Sequence, residues 1–267
     1  MLRALGRDMV NHYLMGGDEA DFAKRKSRFD KLRGHNRSVE WDSSRELFKV
    51  TDTESSIYVA RKHRVRLMNR GIVTRQKKLL TQYLGDNFLI EEGDAVIDCG
   101  ANVGEFSLAC AQLGARVYAF EPDPVEFRAL QANASATVTS VNKALWHTDE
   151  TLTFYDNNDS GDSSLIDTGS ASQTLQVEAI RLDSFAASQG LDQVALIKLE
   201  AEGAEPEVLE GARGVLSKTL NVAVDMGPER GVSQENTVTQ VTNRLTDAGF
   251  KLRHFDSDRI CGLFSKL

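Results

Sequence analysis

The stretch Ala95–Pro122 reads AVIDCGANVGEFSLACAQLGARVYAFEP. It opens with an apolar run, Ala95–Val96–Ile97, that ends on Asp98. A loop of small residues follows, Gly100–Ala101–Asn102–Val103–Gly104, and beyond it Phe106, Ala109, Cys110 and Leu113 recur at helical spacing. Gly114 ends that helix, as a residue tolerant of positive φ does. A second apolar run, Val117–Tyr118–Ala119–Phe120, ends on Glu121. The pattern predicts strand, tight turn, helix and strand, a right-handed βαβ unit with parallel strands.

The turn carries chemistry. Gly100 and Gly104 let the backbone pass close to a ligand. Glu121 stands 17 residues beyond Gly104, where an acid at a strand end accepts hydrogen bonds from ribose hydroxyls. The spacing is G-x-x-x-G with Asp98 before it, not the G-x-G-x-x-G of a dinucleotide site. An acid beside the loop repels a pyrophosphate and suits a ligand bearing a cationic amine or sulfonium. S-adenosylmethionine (SAM) is that ligand. A plain α/β unit with a glycine turn is the alternative that needs no ligand.

With VIDCGANVGEFSL at Val96–Leu108 and VYAFEPDP at Val117–Pro124, the chain resembles the FkbM family of SAM-dependent methyltransferases. VNKALW (Val141–Trp146), GDSSL (Gly161–Leu165), IRLDSF (Ile180–Phe185) and IKLEAEGAEPEVLEGA (Ile197–Ala212) extend the resemblance over about residues 68–255. It implies an α/β fold: a Rossmann-like, seven-strand class I methyltransferase, mostly parallel, with helices on both faces. It also implies that Asp98, Gly100, Asn102, Gly104, Glu121 and Pro122 hold SAM, with Asn142 and Ala144 on the adenine side. A helix before the first strand would help cover the cofactor, which brings in Arg75 and Tyr83, although packing is the default for both.

The 267-residue chain allows one large domain or a domain with an extension, and its 41% hydrophobic content supports a sizeable core. The net charge of −7 argues against a general nucleic-acid binder. Residues 1–94 carry 19 Lys and Arg against 14 Asp and Glu, net +5; the remainder carries 13 against 25, net −12. Cys99, Cys110 and Cys261 show neither metal nor redox spacing, which fits a reducing compartment. The N-terminal segment has no continuous apolar stretch and no run is long enough to span a bilayer. The expectation is a cytoplasmic protein without a membrane span, acting on a small-molecule or glycan acceptor. Nothing in the sequence decides against a homodimer.

Two parts are expected: an N-terminal extension, residues 1–67, and a methyltransferase domain, residues 68–267. Residues 1–46 read as a solvated helical arm, Leu47–Val50 and Ile57–Ala60 as a hairpin, and Arg70–Leu84 as a helix. Asp123 caps a helix running to about Ala134, and Thr137–Val141 is the third strand. Thr151–Tyr155 and Thr174–Ile180 form an insertion hairpin. Val194–Leu199 and Leu220–Asp225 are strands four and five, with a helix from Glu205 between them. Ser233 caps the next helix, and two strands, Phe250–Phe255 and Arg259–Ser265, close the chain.

Methyl transfer to a hydroxyl needs alignment and a base. Glu202 and Glu200, after strand four, are the candidates, with Lys198 tuning them and His147 an outside choice. Family members usually carry Asp where Glu200 stands, in a D-x-E-G-A-E pattern. The extra methylene moves the carboxylate by about 1–1.5 Å, and a 1 Å shift can cost on the order of 100-fold. Glu202 is therefore favoured. Glu200, Glu202 and Asp225 could instead hold Mg²⁺, but no clear ligand pattern supports a metal. Two other readings stay open: a non-catalytic SAM-binding or scaffold protein in glycan assembly, and a nicotinamide-dependent oxidoreductase.

Overall fold

A computed structural model describes residues 13–86, 90–157, 163–169 and 171–266. The first twelve residues of the expected arm, and Gly161 and Asp162 of the GDSSL motif, lie outside the described residues. The chain divides into two compact units, Met1–Arg75 and Gln76–Leu267.

In the first unit, helix α1 (Glu19–Leu32) is N-capped by Asp18, whose carboxylate accepts from the Asp21 amide at 2.8 Å. Strands β1 (Ser38–Asp42), β2 (Leu47–Thr51) and β3 (Ser56–Val59) form an antiparallel sheet. The expected 47–60 hairpin is present. The solvated arm is not: α1 buries Phe22 against Phe48, and Lys26, Asp30 and Arg37 are buried together. The Asp30 carboxylate binds both cations, and both also donate to the Asn69 side chain. Charges in a segment read as solvated thus form an internal ion network, a distinction that composition does not make.

The second unit begins within α2 (Ile72–Leu84). Its chain then runs β4 (Ala95–Cys99), α3 (Glu105–Gln112), β5 (Arg116–Phe120), α4 (Pro124–Asn133) and β6 (Val138–Val141). An excursion follows: β7 (Ala144–Leu145), β8 (Glu150–Asp156) and β9 (Gln173–Ile180) make a separate three-stranded sheet. Then come α5 (Leu182–Ser188), β10 (Val194–Leu199), α6 (Glu205–Gly211), α7 (Arg213–Ser217) and β11 (Thr219–Asp225). A short ladder of β12 (Pro228–Arg230) and β13 (Glu235–Asn236) precedes α8 (Val238–Asp247), β14 (Lys251–Asp256) and β15 (Cys261–Ser265).

Seven strands join in the order β14-β15-β11-β10-β4-β5-β6. Every neighbouring pair from β11 to β6 is parallel, and β15 runs antiparallel to both of its neighbours. The strand period of two separates the core into two faces. On one face Ile97, Phe120, Ile197 and Leu199 pack with α5, α6, α7 and α8. On the other Val96, Val117 and Leu196 pack with Phe106, Cys110 and Leu130. Strand order reverses between β4 and β10, so the loops after these strands open a crevice at their C-terminal ends.

Two expectations change in detail. The helix expected from Ser233 begins at Val238, because residues 228–236 form the β12–β13 ladder. The helix from Glu205 breaks at Ala212 into α6 and α7. Gly211, just before the break, lies against the Trp146 carbonyl, where a Cβ would stand 1.9 Å from the oxygen.

Candidate active site

The β4 loop is held by its own backbone. Gly100 N and Ala101 N both donate to Phe120 O, at 3.0 and 2.9 Å, and Gly104 N donates to Ala101 O at 2.8 Å. Asn102 N donates to Glu121 Oε2 at 2.7 Å, and Val103 N to Asn102 Oδ1 at 2.9 Å. All of the amides from Gly100 to Gly104 are therefore already engaged. Asn102 takes the left-handed conformation (φ 51°) that this turn needs.

The two glycines serve protein contacts. A Cβ on Gly100 (φ 70°) would stand 1.9 Å from the Glu200 carbonyl oxygen, and one on Gly104 (φ 88°) 2.8 Å from Leu130 Cδ1. Both were expected to serve ligand approach; the space they free is occupied by the β10 turn and by α4.

Asp98 is 0% exposed. Its Oδ2 accepts from Ser107 Oγ at 2.6 Å, and its Oδ1 lies 3.1 Å from Lys198 Nζ. Lys198, 2% exposed, is its direct register partner on β10. Lys198 Nζ also donates to Cys99 O (3.1 Å) and Gly100 O (2.9 Å) and pairs with Glu200 Oε2 (2.9 Å). One buried ammonium thus ties the two loops together, and Asp98 supports the crevice from beneath rather than lining it. Burial opposes the charge on Lys198, but Asp98 and Glu200 outweigh it and raise its pKa.

Burial likewise works against an ionised Glu200, yet Lys198 and the nearby Tyr83 hydroxyl bring its pKa down to about 2. Tyr83, on α2, lies beneath the Lys198 ammonium with its ring 5.5 Å away. Its hydroxyl faces Glu200, whose ionised form it favours, and Asp225.

Glu121, at the end of β5, is 6% exposed. Besides the Asn102 amide it accepts the Asp123 amide at 2.9 Å. Burial dominates and pushes its pKa up to about 8. Asn142 Nδ2 donates to Glu121 O (2.8 Å) and Pro122 O (3.2 Å), which fixes the backbone that carries the acid. Ala144 is buried in β7 within the apolar cluster of Trp146, Phe154 and Val177.

The turn after β10 carries Glu200 and Glu202, the latter at φ 49°. Glu205 folds back on it: Oε1 accepts from Ala201 N (3.0 Å) and Gly203 N (3.1 Å), and Oε2 from Thr237 Oγ1 (3.0 Å). Burial raises the Glu205 pKa to about 7. Arg230 grips the turn from β12, donating to Gly203 O (2.6 Å) and to both Glu207 oxygens. Ser164 Oγ donates to Glu202 O at 2.8 Å. Asp225, at the end of β11, accepts from Gly227 N and pairs with Arg259 at 3.1 Å.

The structure therefore brings Gly100, Asn102, Gly104 and Glu121 to the loops after β4 and β5, and Glu200 and Glu202 to the turn after β10, with Asp98 buried beneath them. His147 follows β7 and lies beside Gly211, at the far end of α6 from Glu205, about 9 Å along the helix. Among the described residues no group of three or more His, Cys, Asp or Glu is arranged to hold a metal ion. Sequence reasoning missed Glu205, Arg230, Glu229 and Arg259 as parts of this region. The second Glu of E-G-A-E was the available signal, read only as a helix-start acid.

Comparison with known proteins gives this architecture a family. The family model described as "Methyltransferase FkbM domain" matches residues 98–252, more than half of the chain. The 31-O-demethyl-FK506 methyltransferase FkbM of Streptomyces tacrolimicus is 27% identical over 164 residues, 48% of this chain and 63% of that protein. The hexuronic acid methyltransferase AglP of Haloferax volcanii is 28% identical over 165 residues, 59% of this chain and 64% of that protein. The chain thus spans less than two thirds of the length of these relatives. A crystal structure of a methyltransferase FkbM from Methylobacillus flagellatus superposes with a TM-score of 0.49 at 19% identity, covering 77% of this chain and 56% of that one. The chain belongs to the FkbM methyltransferase domain family.

Proposed function

We propose that this protein is a SAM-dependent O-methyltransferase whose acceptor is a hydroxyl of a sugar, a glycoconjugate or a related hydroxylated metabolite. The observation that carries the reading is the β4 loop. A pyrophosphate is bound by free amides at a loop and helix N-terminus, and Gly100 to Gly104 offer none, since all of these amides are engaged. That disfavours the nicotinamide alternative. The fit to SAM is better. Each Glu121 oxygen accepts one backbone amide and retains a lone pair for a ribose hydroxyl. Glu200 supplies a fixed negative charge opposite it.

When bound, SAM supplies an electrophilic methyl group on a cationic sulfur. The chain's own residues hold and orient. Glu121 receives the ribose, with Asn142 and Pro122 shaping the loop around it. Lys198 and Asp98 fix the β4 and β10 loops in register. Glu200 is ionised but a weak base, which leaves Glu202 as the other acid of this turn for the hydroxyl proton. The names of the two relatives, one acting on a demethylated FK506 and one on a hexuronic acid, support a hydroxylated acceptor.

The experiment is transfer of label from methyl-tritiated SAM to a panel of neutral sugars, uronic acids and glycolipids. Label on a hydroxyl of one acceptor class supports the proposal. SAM binding without transfer to any acceptor supports the scaffold alternative instead.

A further inference from the structure

Two segments of the first unit carry almost all of their charge as cations. Residues 22–39 hold seven Lys and Arg against Asp30 alone, and residues 55–75 hold six against no acid. The unit as a whole, residues 1–75, has 17 Lys and Arg against 10 Asp and Glu, net +7 in a chain of net −7. Asp30 offsets none of this at the surface, because it is buried with Lys26 and Arg37.

The fold packs the two segments together. Residues 64–70 form a 3-10 helix beside α1. Phe22, Lys26, Phe29 and the C-cap Arg33 recur at i, i+4, i+7 and i+11, one stripe along α1. The start of that stripe meets the basic segment: Lys62 Nζ lies 5.9 Å over the Phe22 ring, and Lys26 Nζ donates to Asn69 Oδ1 at 3.2 Å. Its end is open. Arg33 is exposed and covers the half-buried Phe29 ring at 4.9 Å, and Leu32 beside it is 80% exposed. A 3-10 helix has three residues per turn, so Val65 and Met68 share the buried side, Arg66 shares a side with Asn69, and Leu67 with Arg70. Leu67 is 40% exposed, and Arg66 and Arg70 are exposed. Among the described residues no carboxylate pairs with either arginine. Two bare leucines thus stand among three exposed arginines on one face.

We propose that this face of the first unit docks on an anionic phospholipid membrane. Arg33, Arg66 and Arg70 take lipid phosphates, which a guanidinium fork fits. Leu32 and Leu67 enter the boundary between headgroups and acyl chains, where aliphatic tips leave water. A nucleic acid would use the arginines but not the leucines. It would also call for bare aromatic rings to stack on bases, and the Phe29 ring is already covered by Arg33. The contact is peripheral and does not rest on the methyl-transfer reading.

The test is flotation of the full chain with vesicles of phosphatidylcholine, with and without phosphatidylglycerol. A Lys or Arg near an anionic surface contributes about fivefold to partitioning. Three arginines should therefore favour the anionic vesicles roughly 100-fold at low salt, and high salt should remove most of that preference. A preference below about threefold overturns the proposal, and this wild-type comparison needs no variant to fold. Replacing both Arg66→Gln and Arg70→Gln should cost about 25-fold in partitioning. Replacing both Leu32→Ser and Leu67→Ser should cost about tenfold or more. Lys251→Gln, an exposed cation on β14 in the second unit, should change nothing. Partitioning kept within about threefold of the wild type in either double variant overturns the assignment. So does tighter binding to single-stranded RNA than to the vesicles, unaffected by the serine pair.

Discussion

Replacing Lys198 by Met probes the link between the two loops. The ammonium is 2% exposed and pairs with Asp98, which is 0% exposed, at 3.1 Å. It also donates to the Cys99 and Gly100 carbonyls. Removing one partner of a buried pair costs about 3–5 kcal/mol, because the other charge is left uncompensated. Two carbonyls losing a donor place Lys198→Met toward the upper end. Domains of this kind are stable by about 5–15 kcal/mol, so most of the stability should go. The assay is urea unfolding followed by far-UV circular dichroism, completed as a cycle with Asp98→Asn and the double variant. The double variant should recover part of the loss. A single-variant loss below about 1 kcal/mol, or additive effects across the cycle, would refute the reasoning.

Further outcomes follow from the same geometry. Gly100→Ala puts a Cβ 1.9 Å from a backbone oxygen at φ 70° and should lower stability by about 3 kcal/mol or more, whereas Gly190→Ala, also at positive φ but in open space, should cost about 1–2 kcal/mol; thermal melts compare them. Stability should fall as pH rises from about 5 to 8. Glu205 and Glu121 have pKa values raised to about 7 and about 8, so the folded state binds more protons than the unfolded one across that window. Each acid contributes on the order of 1 kcal/mol per pH unit; urea midpoints near the two ends of that window check the sign, and a rise would contradict it. Arg230→Ala frees the turn that carries Glu200 and Glu202 and should reduce methyl transfer more than SAM affinity, read as kcat against Kd.

The parts of the fold that were legible have local causes. Apolar runs and glycines close together in sequence mark β4, α3 and β5, and β10 falls on Val194–Leu199 as its apolar run predicts. What was hidden depends on partners far away in sequence. Gly100 is glycine because of the Glu200 carbonyl, and Gly211 because of Trp146. Asp98 points at Lys198, which a parallel register brings opposite it. Lys26, Asp30 and Arg37 look solvated in sequence but are buried together. Glu229 sits in a segment with no periodicity, so only the fold sets it beside Asp225.

The central claim is tested most directly by titrating the protein with SAM and with NADH in a calorimeter, and repeating the SAM titration with Glu121→Ala. SAM should bind and NADH should not, and the variant should lose about 1.5–3 kcal/mol, roughly 10- to 150-fold in Kd. NADH binding, or wild-type SAM affinity in Glu121→Ala, would contradict the claim.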